Sequence, residues 1–320
     1  MLGQLIPTFK RELTNLFFLK RSSNKTVIII AGPTAVGKTA VAIEVAKHFQ
    51  TEIISADSRQ CFREMNIGVA RPSEEELRQV PHHFIASHGI QDEVTAITFE
   101  QYALQKTGEL FQHKDRVVMT GGTGLYIKAF CEGLDEIPEV PKEIRSIISK
   151  HYEQQGLEWL QYELKRKDPD FFSVGEIKNP QRMLRALEVF EATGRSILEF
   201  RKGEKLARNF GIIKIGLELP VDTLRQRINA RVDQMMDKGL LEEVKNLLSS
   251  KHLNALQTVG YSELFDYLEG KTELQNAVEE IKIHTRQYAK RQMTWFKKDK
   301  IFEWFSPDAA IVIDHLKKSI

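Results

Sequence analysis

The chain has 320 residues, of which 42% are hydrophobic and 28% charged, with a formal net charge of +2. That length holds one large globular domain or two, and the near-neutral balance excludes nucleic-acid binding through overall basic excess, leaving only local clusters. Two cysteines, Cys61 and Cys131, are too few for a disulfide framework or a thiolate metal set and point to a reducing cytoplasm; no run of 18 apolar residues is present, which excludes a transmembrane helix and any membrane partner.

Residues 1–24 mix basic and apolar groups, as in Phe9-Lys10-Arg11 and Leu16-Phe17-Phe18-Leu19-Lys20-Arg21. Glu12 interrupts the basic character and no small-residue cleavage site follows, so the segment reads as an N-terminal extension with a short helix, an organellar address being the alternative. An apolar strand over 27–31 then runs into Gly32-Pro33-Thr34-Ala35-Val36-Gly37-Lys38-Thr39, and a helical pattern over 40–49 runs out. This is the G-x-x-x-x-G-K-S/T phosphate loop in its strand–loop–helix context. Glycines let the backbone wrap an anion, the helix N-terminus adds partial positive charge, Lys38 adds a full charge, and Thr39 is placed to ligate Mg2+. The loop alone says diphosphate or triphosphate and suggests a nucleotide such as ATP.

A second strand over 51–55 ends at Ala56-Asp57-Ser58-Arg59-Gln60. Strand, helix, strand at this spacing is a βαβ unit with parallel strands, which aims Asp57 at whatever the loop holds. A carboxylate there can bind Mg2+ through water or take a proton from a nucleophile; the competing structural reading is a cap for the segment after it. A helix over 99–111 leads to a third strand, 116–120, and a second glycine turn, Gly121-Gly122-Thr123-Gly124-Leu125-Tyr126. Between 142 and 205 only helical patterns occur, broken at Gly156, Asp168-Pro169, Asn179-Pro180 and Gly194. A strand returns over 212–219, Asp222 is placed to cap a helix over 223–238, and a long helix over 273–298 closes the ordered core.

The expected fold is therefore α/β: a phosphate-loop parallel sheet flanked by helices, built from 25–141 and 206–304, with an all-helical insertion at 142–205 and a C-terminal tail at 305–320. On the helix after the fourth strand Arg225, Arg227 and Arg231 are suited to phosphate, with a solvated charged face as the alternative. On the last helix Lys282, Arg286 and Lys290 recur every four residues, interleaved with Tyr288 and Trp295, a stripe fit for a phosphate backbone or for plain solvent exposure. His82-His83 suggests a metal only weakly, since no partner stands at ligand spacing.

Taken together, the loop at 32–39, Ser-Ala-Asp-Ser-Arg-Gln at 55–60, Gly-Gly-Thr-Gly-Leu-Tyr at 121–126, Asn-Pro-Gln-Arg-Met-Leu-Arg-Ala-Leu-Glu at 179–188, Val-Gly-Tyr at 259–261 and Lys-Arg-Gln-Met-Thr-Trp at 290–295 resemble, in order, the tRNA dimethylallyltransferase family of bacterial type. The resemblance covers about residues 26–300. It implies transfer of a dimethylallyl group from dimethylallyl diphosphate to the N6 amine of the adenine 3′ of the anticodon, with Mg2+ assisting departure of diphosphate. By that resemblance Gly32, Pro33, Thr34, Ala35, Val36, Gly37, Lys38, Thr39 and Arg231 surround the diphosphate, Thr39 also meets Mg2+, and Asp57 is the general base. Asp57, Ser58, Arg59, Gln60, Thr123, Arg145, Gln181, Arg182, Met183, Leu184, Arg185, Lys290, Arg291, Gln292 and Trp295 correspond to tRNA-contacting positions. The insertion would grip the anticodon stem-loop, and the enzyme would act as a cytoplasmic monomer. Three places depart from the family pattern: Cys61-Phe62 for an aliphatic-Tyr pair, Gly68-Val69-Ala70-Arg71-Pro72 for Gly-Thr-Ala-Lys-Pro, and Ala86-Ser87 where an aspartate is common.

Three rivals remain at this level. A kinase would use the same loop with ATP but usually carries a second aspartate after an apolar strand, which Val117-Val118-Met119-Thr120-Gly121 does not offer. An adenylate isopentenyltransferase would have less need of the insertion and the basic helix. A non-catalytic tRNA-binding module would leave the loop and Asp57 without a purpose.

Overall fold

The computed structural model describes residues 25–320. The expected helix within 1–24 lies outside the described residues. Strand β1 (Thr26–Ala31) is the centre of the molecule. Val27, Ile29 and Ala31 enter one apolar cluster and Ile28 and Ile30 another, so both faces of the strand are covered and its sequence is continuously apolar. With β2 (Ile53–Ser55), β3 (His82–His83), β4 (Arg116–Gly121), β5 (Gly211–Leu217) and β6 (Glu303–Phe305) it forms a six-stranded sheet in the order β3-β2-β4-β1-β5-β6. Every pairing is parallel, and Ala31 stands opposite both Gly121 and Gly216. The carboxyl ends of the central strands are therefore level at one edge, where open α/β sheets bind ligands.

The helices of this unit are α1 (Lys38–His48), α2 (Glu74–Gln79), α3 (Ala96–Leu110) and α4 (Gly124–Glu132). A second set of four, α5 (Lys142–Lys167), α6 (Pro169–Val174), α7 (Pro180–Thr193) and α8 (Ile197–Phe200), belongs to the other unit described below. Five more follow: α9 (Val221–Asp237), α10 (Leu240–Asn246), α11 (Ser262–Leu268), α12 (Leu274–Lys298) and α13 (Ala309–Ser319). Among the described residues no helix is long and apolar enough to cross a membrane.

Contacts divide the chain into a sheet-bearing core, which runs to Cys131 and resumes over Ala207–Ile320, and a unit spanning Glu132–Leu206. The second unit contains α5 to α8 and no strand. It starts earlier than the 142 read from periodicity because Ile137 and Val140 pack into its interior with Leu160, Leu164, Phe171 and Leu187. Its punctuation follows the expected chemistry: Asp168 and Asn179 accept from the amides of Phe171 and Arg182 as N-caps, and Gly194 ends α7 with φ 68°.

Three local readings are corrected. Two short strands were missed, because two or three residues carry no period. Asp222 is not a cap; α9 starts at Val221 behind Pro220, and Asp222 sits in its first turn, 3.5 Å from Arg225. Residues 305–320 are not a tail. β6 extends the sheet, and α13, capped by Asp308, buries Val312 and Leu316 among Val41, Val45 and Ile30. Leu316 is fully buried, so Leu316→Ala removes transfer energy and leaves a cavity; a loss of about 2–4 kcal/mol is expected in denaturant unfolding. A loss below about 0.5 kcal/mol would mark the segment as loosely held.

Candidate active site

The phosphate loop joins β1 to α1. Ala35 and Gly37 both have positive φ, 63° and 110°, which turns the backbone around a hollow. Gly37 is the N-cap of α1 in the left-handed region and makes no side-chain cap, so the first amides of α1 are left for an anion. Lys38 Nζ donates to Pro33 O at 2.8 Å, and Arg227 Nη1 donates to Val36 O at 3.1 Å. The loop is also pinned from far along the chain. Gln292 Oε1 accepts from the Thr34 amide at 2.8 Å while its Nε2 donates to Gly122 O at 2.9 Å, which ties the first glycine turn to the second.

At the end of β2, Asp57 Oδ1 accepts from the amides of Arg59 (2.9 Å) and Gln60 (3.2 Å). The structural reading of Asp57 as a local cap is thus correct for one oxygen; these two bonds leave Oδ2 uncommitted. The next side chains are occupied close by. Thr123 Oγ1 accepts from the Ser58 amide at 3.0 Å and donates to Ser58 Oγ at 3.3 Å. Gln60 Nε2 donates to Val69 O and Ala70 O, and Arg59 Nη1 donates to Asn254 O at 2.8 Å.

Lys38, Thr39, Asp57, Arg231, Tyr288 and Gln292 line one cavity of about 740 Å³, within the range of small-molecule sites. Burial pulls the Lys38 ammonium down to about 8, Arg231 acting with it and Asp57 against it. Burial also lowers Arg231, and Asp57 opposes that shift. The Tyr288 phenol is pushed up to about 12, first by burial and then by Asp57. A cleft whose cations are disfavoured by desolvation is a site that gains by receiving a polyanion. Thr39, in the first turn of α1, brings a hydroxyl to the same hollow.

Several residues expected to contact tRNA are placed otherwise. Gln292 is buried and uses both ends of its amide to brace the two glycine turns, while its side chain also lines the cavity. Met183 is fully buried in the helical unit, and Leu184 packs against the same cluster. The basic stripe on α12 is largely a seam between helices: Lys282 pairs with Asp233 at 2.8 Å, and Arg286 donates to Asn229 Oδ1 at 2.7 Å, both on α9. Lys290, Arg291 and Trp295 are exposed, and Arg291 lies 5.9 Å from the Tyr288 ring. Trp295 lies across Gly124, where a Cβ would meet its ring at 2.1 Å; only glycine fits there.

In the helical unit Gln181 and Arg182 are exposed, with Arg182 paired to Glu176, while Arg145 and Arg185 share Glu188 at 3.9 and 3.5 Å. Of the arginines on α9, Arg227 and Arg231 reach the cavity and Arg225 does not. His83 pairs with Glu52 at 2.6 Å, and His82 Nδ1 meets Val80 O at 2.8 Å. The block Gly68-Val69-Ala70-Arg71-Pro72, noted above only as a departure from the family pattern, belongs to a segment that lines the cavity, and Glu243, which no local motif marks, holds that segment.

Two outcomes are expected for inorganic pyrophosphate, measured by calorimetry. A bound polyanion raises the Lys38 pKa above its free value of about 8, so binding takes up a proton above that pH. Affinity, relative to a Lys38→Arg variant, should be flat below pH 8 and fall above it; a flat ratio to pH 10 would exclude Lys38 as the titrating contact. Gln292→Ala frees Thr34 and the second glycine turn, and pyrophosphate affinity should drop about tenfold, the cost of a lost buried hydrogen bond or two. Unchanged affinity would return Gln292 to a role outside the loop.

Comparison with known proteins agrees with this geometry. The IPP transferase family model matches residues 60–299. The chain is 46% identical over 283 residues to tRNA dimethylallyltransferase 1 of Bacteroides thetaiotaomicron, covering 88% of this chain and 92% of that one. It is 47% identical over 296 residues to tRNA dimethylallyltransferase of Christiangramia forsetii, covering 92% and 98%. The solved full-length tRNA isopentenylpyrophosphate transferase of Bacillus halodurans superposes with a TM-score of 0.67 at 33% identity, over 93% of this chain and 95% of that one. A eukaryotic dimethylallyltransferase solved acting on tRNA gives 0.68 at 26% identity, over 85% and 69%. With a phosphate loop, a facing carboxylate and relatives matched along nearly their whole length, this chain belongs to the tRNA dimethylallyltransferase family.

Proposed function

We propose that this protein transfers the dimethylallyl group of dimethylallyl diphosphate to the N6 amine of the adenine 3′ of the anticodon in tRNA, working as a cytoplasmic monomer. The observation that carries the reading is the shared cavity: Lys38, Arg231 and the loop amides on one side, and Asp57 with one oxygen uncommitted on the other. A kinase needs the first half of this arrangement and a second metal-binding carboxylate. Here β4 ends instead in Thr120, whose hydroxyl donates to Ile30 O, and Gly121.

The residues fit the following chemistry. The adenine amine attacks the first carbon of the allyl group, the C–O bond breaks, and its electron pair leaves on the diphosphate oxygen. The proton released by the amine passes to Asp57. Negative charge grows on the leaving group, where Lys38, Arg231 and the α1 amides are already oriented, which is the most effective form of electrostatic stabilisation. The Thr39 hydroxyl, a hard oxygen in the first turn of α1, would be the residue to hold Mg2+ there. When bound, that cation would supply further neutralisation of the leaving charge.

The base must leave its stack to reach Asp57, at a cost of a few kcal/mol. The exposed Arg291 and Trp295, with Tyr288 beside them, offer cation and ring surfaces that suit an unstacked nucleotide. In the helical unit Gln181, Arg182, Arg145 and Arg185 offer polar and basic groups for a phosphate backbone.

Labelled dimethylallyl diphosphate should pass label into tRNA and not into adenosine monophosphate; the reverse would make the acceptor a free nucleotide. Asp57→Ala should lower kcat by about 10²–10⁴-fold with tRNA affinity nearly unchanged, and unaltered turnover would remove Asp57 from the role of base. Replacing Lys290 and Arg291 by glutamate should reduce the salt slope of tRNA binding by about one unit each. An unaltered slope would assign both to solvent.

A further inference from the structure

The cavity wall facing the phosphate loop is made by an irregular segment, 66–71, of which Ile67, Val69 and Ala70 are apolar. Two internal bonds turn the segment, Ala70 N to Ile67 O at 3.0 Å and Arg71 N to Asn66 O at 3.1 Å, with Ala70 at φ 46°, but the amides of 66–68 still need partners from outside it. One side chain supplies them. Glu243 Oε2 accepts from the amides of Asn66 (3.1 Å) and Ile67 (2.8 Å), while Oε1 accepts from the Gly68 amide (3.0 Å) and the Tyr261 hydroxyl (2.6 Å). Four donors on one carboxylate is its full capacity.

Tyr261 is completely buried and packs against Gly68, where a Cβ would meet the ring at 2.5 Å. The carbonyl side is held separately. Arg71 Nη2 donates to Phe62 O at 2.7 Å, to Arg63 O at 3.0 Å and to Met65 O, and Gln60 Nε2 takes Val69 O and Ala70 O.

Glu243 stands on α10, just beyond the Gly239 turn that ends α9. Helix α9 brings Arg231 and Met235 into the same cavity. The carboxylate therefore ties the 66–68 amides to the helix pair that carries the diphosphate arginine. We propose that Glu243, backed by Tyr261, is a positioning residue: it sets the spacing between the segment 66–70 and helix α9, and so the width of the apolar part of the cavity, formed by Ile67, Val69 and Met235, against which the five-carbon tail of the donor lies. This rests on the prenyl-transfer reading above. A tail that rattles in a widened slot no longer presents its first carbon to the amine, and an error of about 1 Å costs about 100-fold in rate. The same reasoning explains the departure at Arg71: three carbonyl bonds are within the capacity of a lysine ammonium too, so the arginine keeps the function of the family's lysine.

The test uses Glu243→Gln, which turns one acceptor oxygen toward donors as an amide, and Tyr261→Phe, which removes one hydroxyl and keeps the ring. Glu243→Gln should raise KM for dimethylallyl diphosphate at least fivefold and lower kcat, with KM for tRNA within twofold. Tyr261→Phe should do the same more weakly. Amide hydrogen exchange at 66–68 should rise in both. A merely structural residue would lower the thermal midpoint and the active fraction with the diphosphate KM unmoved, and that result, or equal shifts in both KM values, overturns the proposal. Wild-type protein that transfers no label defeats the functional reading instead; exchange at 66–68 then decides on the clamp alone, and unchanged exchange in both variants rejects it.

Discussion

Parallel pairing of β1 with both β4 and β5 is the constraint on which the rest depends. Because all strands run the same way, every return connection must cross a face, and every carboxyl end must emerge on one edge. The phosphate loop and Asp57, from one βαβ unit, are thereby gathered with the second glycine turn, which lies far from both in sequence. The same geometry demands two covered faces, which is why β1 is apolar throughout and why α13 is needed over α1.

Cations and a carboxylate share one cavity: Lys38 and Arg231 line it together with Asp57. Lys38 and Arg231 are partly buried, and desolvation disfavours their charge while Asp57 opposes that shift. Asp57 serves both sides of the older ambiguity about a strand-end carboxylate. One oxygen takes two amides at the end of β2 as a local cap, and those bonds leave the other oxygen uncommitted in the residue that lines the cavity.

The braces are long-range. Gln292 reaches Thr34 across 258 positions and Gly122 across 170, and Glu243 reaches the 66–68 amides across about 175. Each satisfies backbone groups that a loop cannot satisfy by itself, so the catalytic edge is rigid where its own secondary structure is weakest. The α12 cations show the opposite lesson. A regular basic spacing looked like a nucleic-acid stripe, yet Lys282 and Arg286 spend their charge and donors on α9, while Lys290 and Arg291 nearer the C-terminal end stay exposed.

What the sequence determined by itself was whatever depends on neighbours in the chain. The phosphate loop follows from eight consecutive residues between an apolar strand and a helix; Asp57 follows from one βαβ unit; the helical unit follows from caps and breakers at Asp168-Pro169, Asn179-Pro180 and Gly194. Short strands such as β3 and β6 left no trace, because their stability comes from the sheet they join and not from a period of their own. Only the tertiary structure decided that Gln292 and Met183 are interior, that the last residues complete the sheet and cover α1, and that Glu243 holds the cavity wall. Those outcomes rest on which distant backbone groups need partners, and the need appears only once the chain has closed on itself.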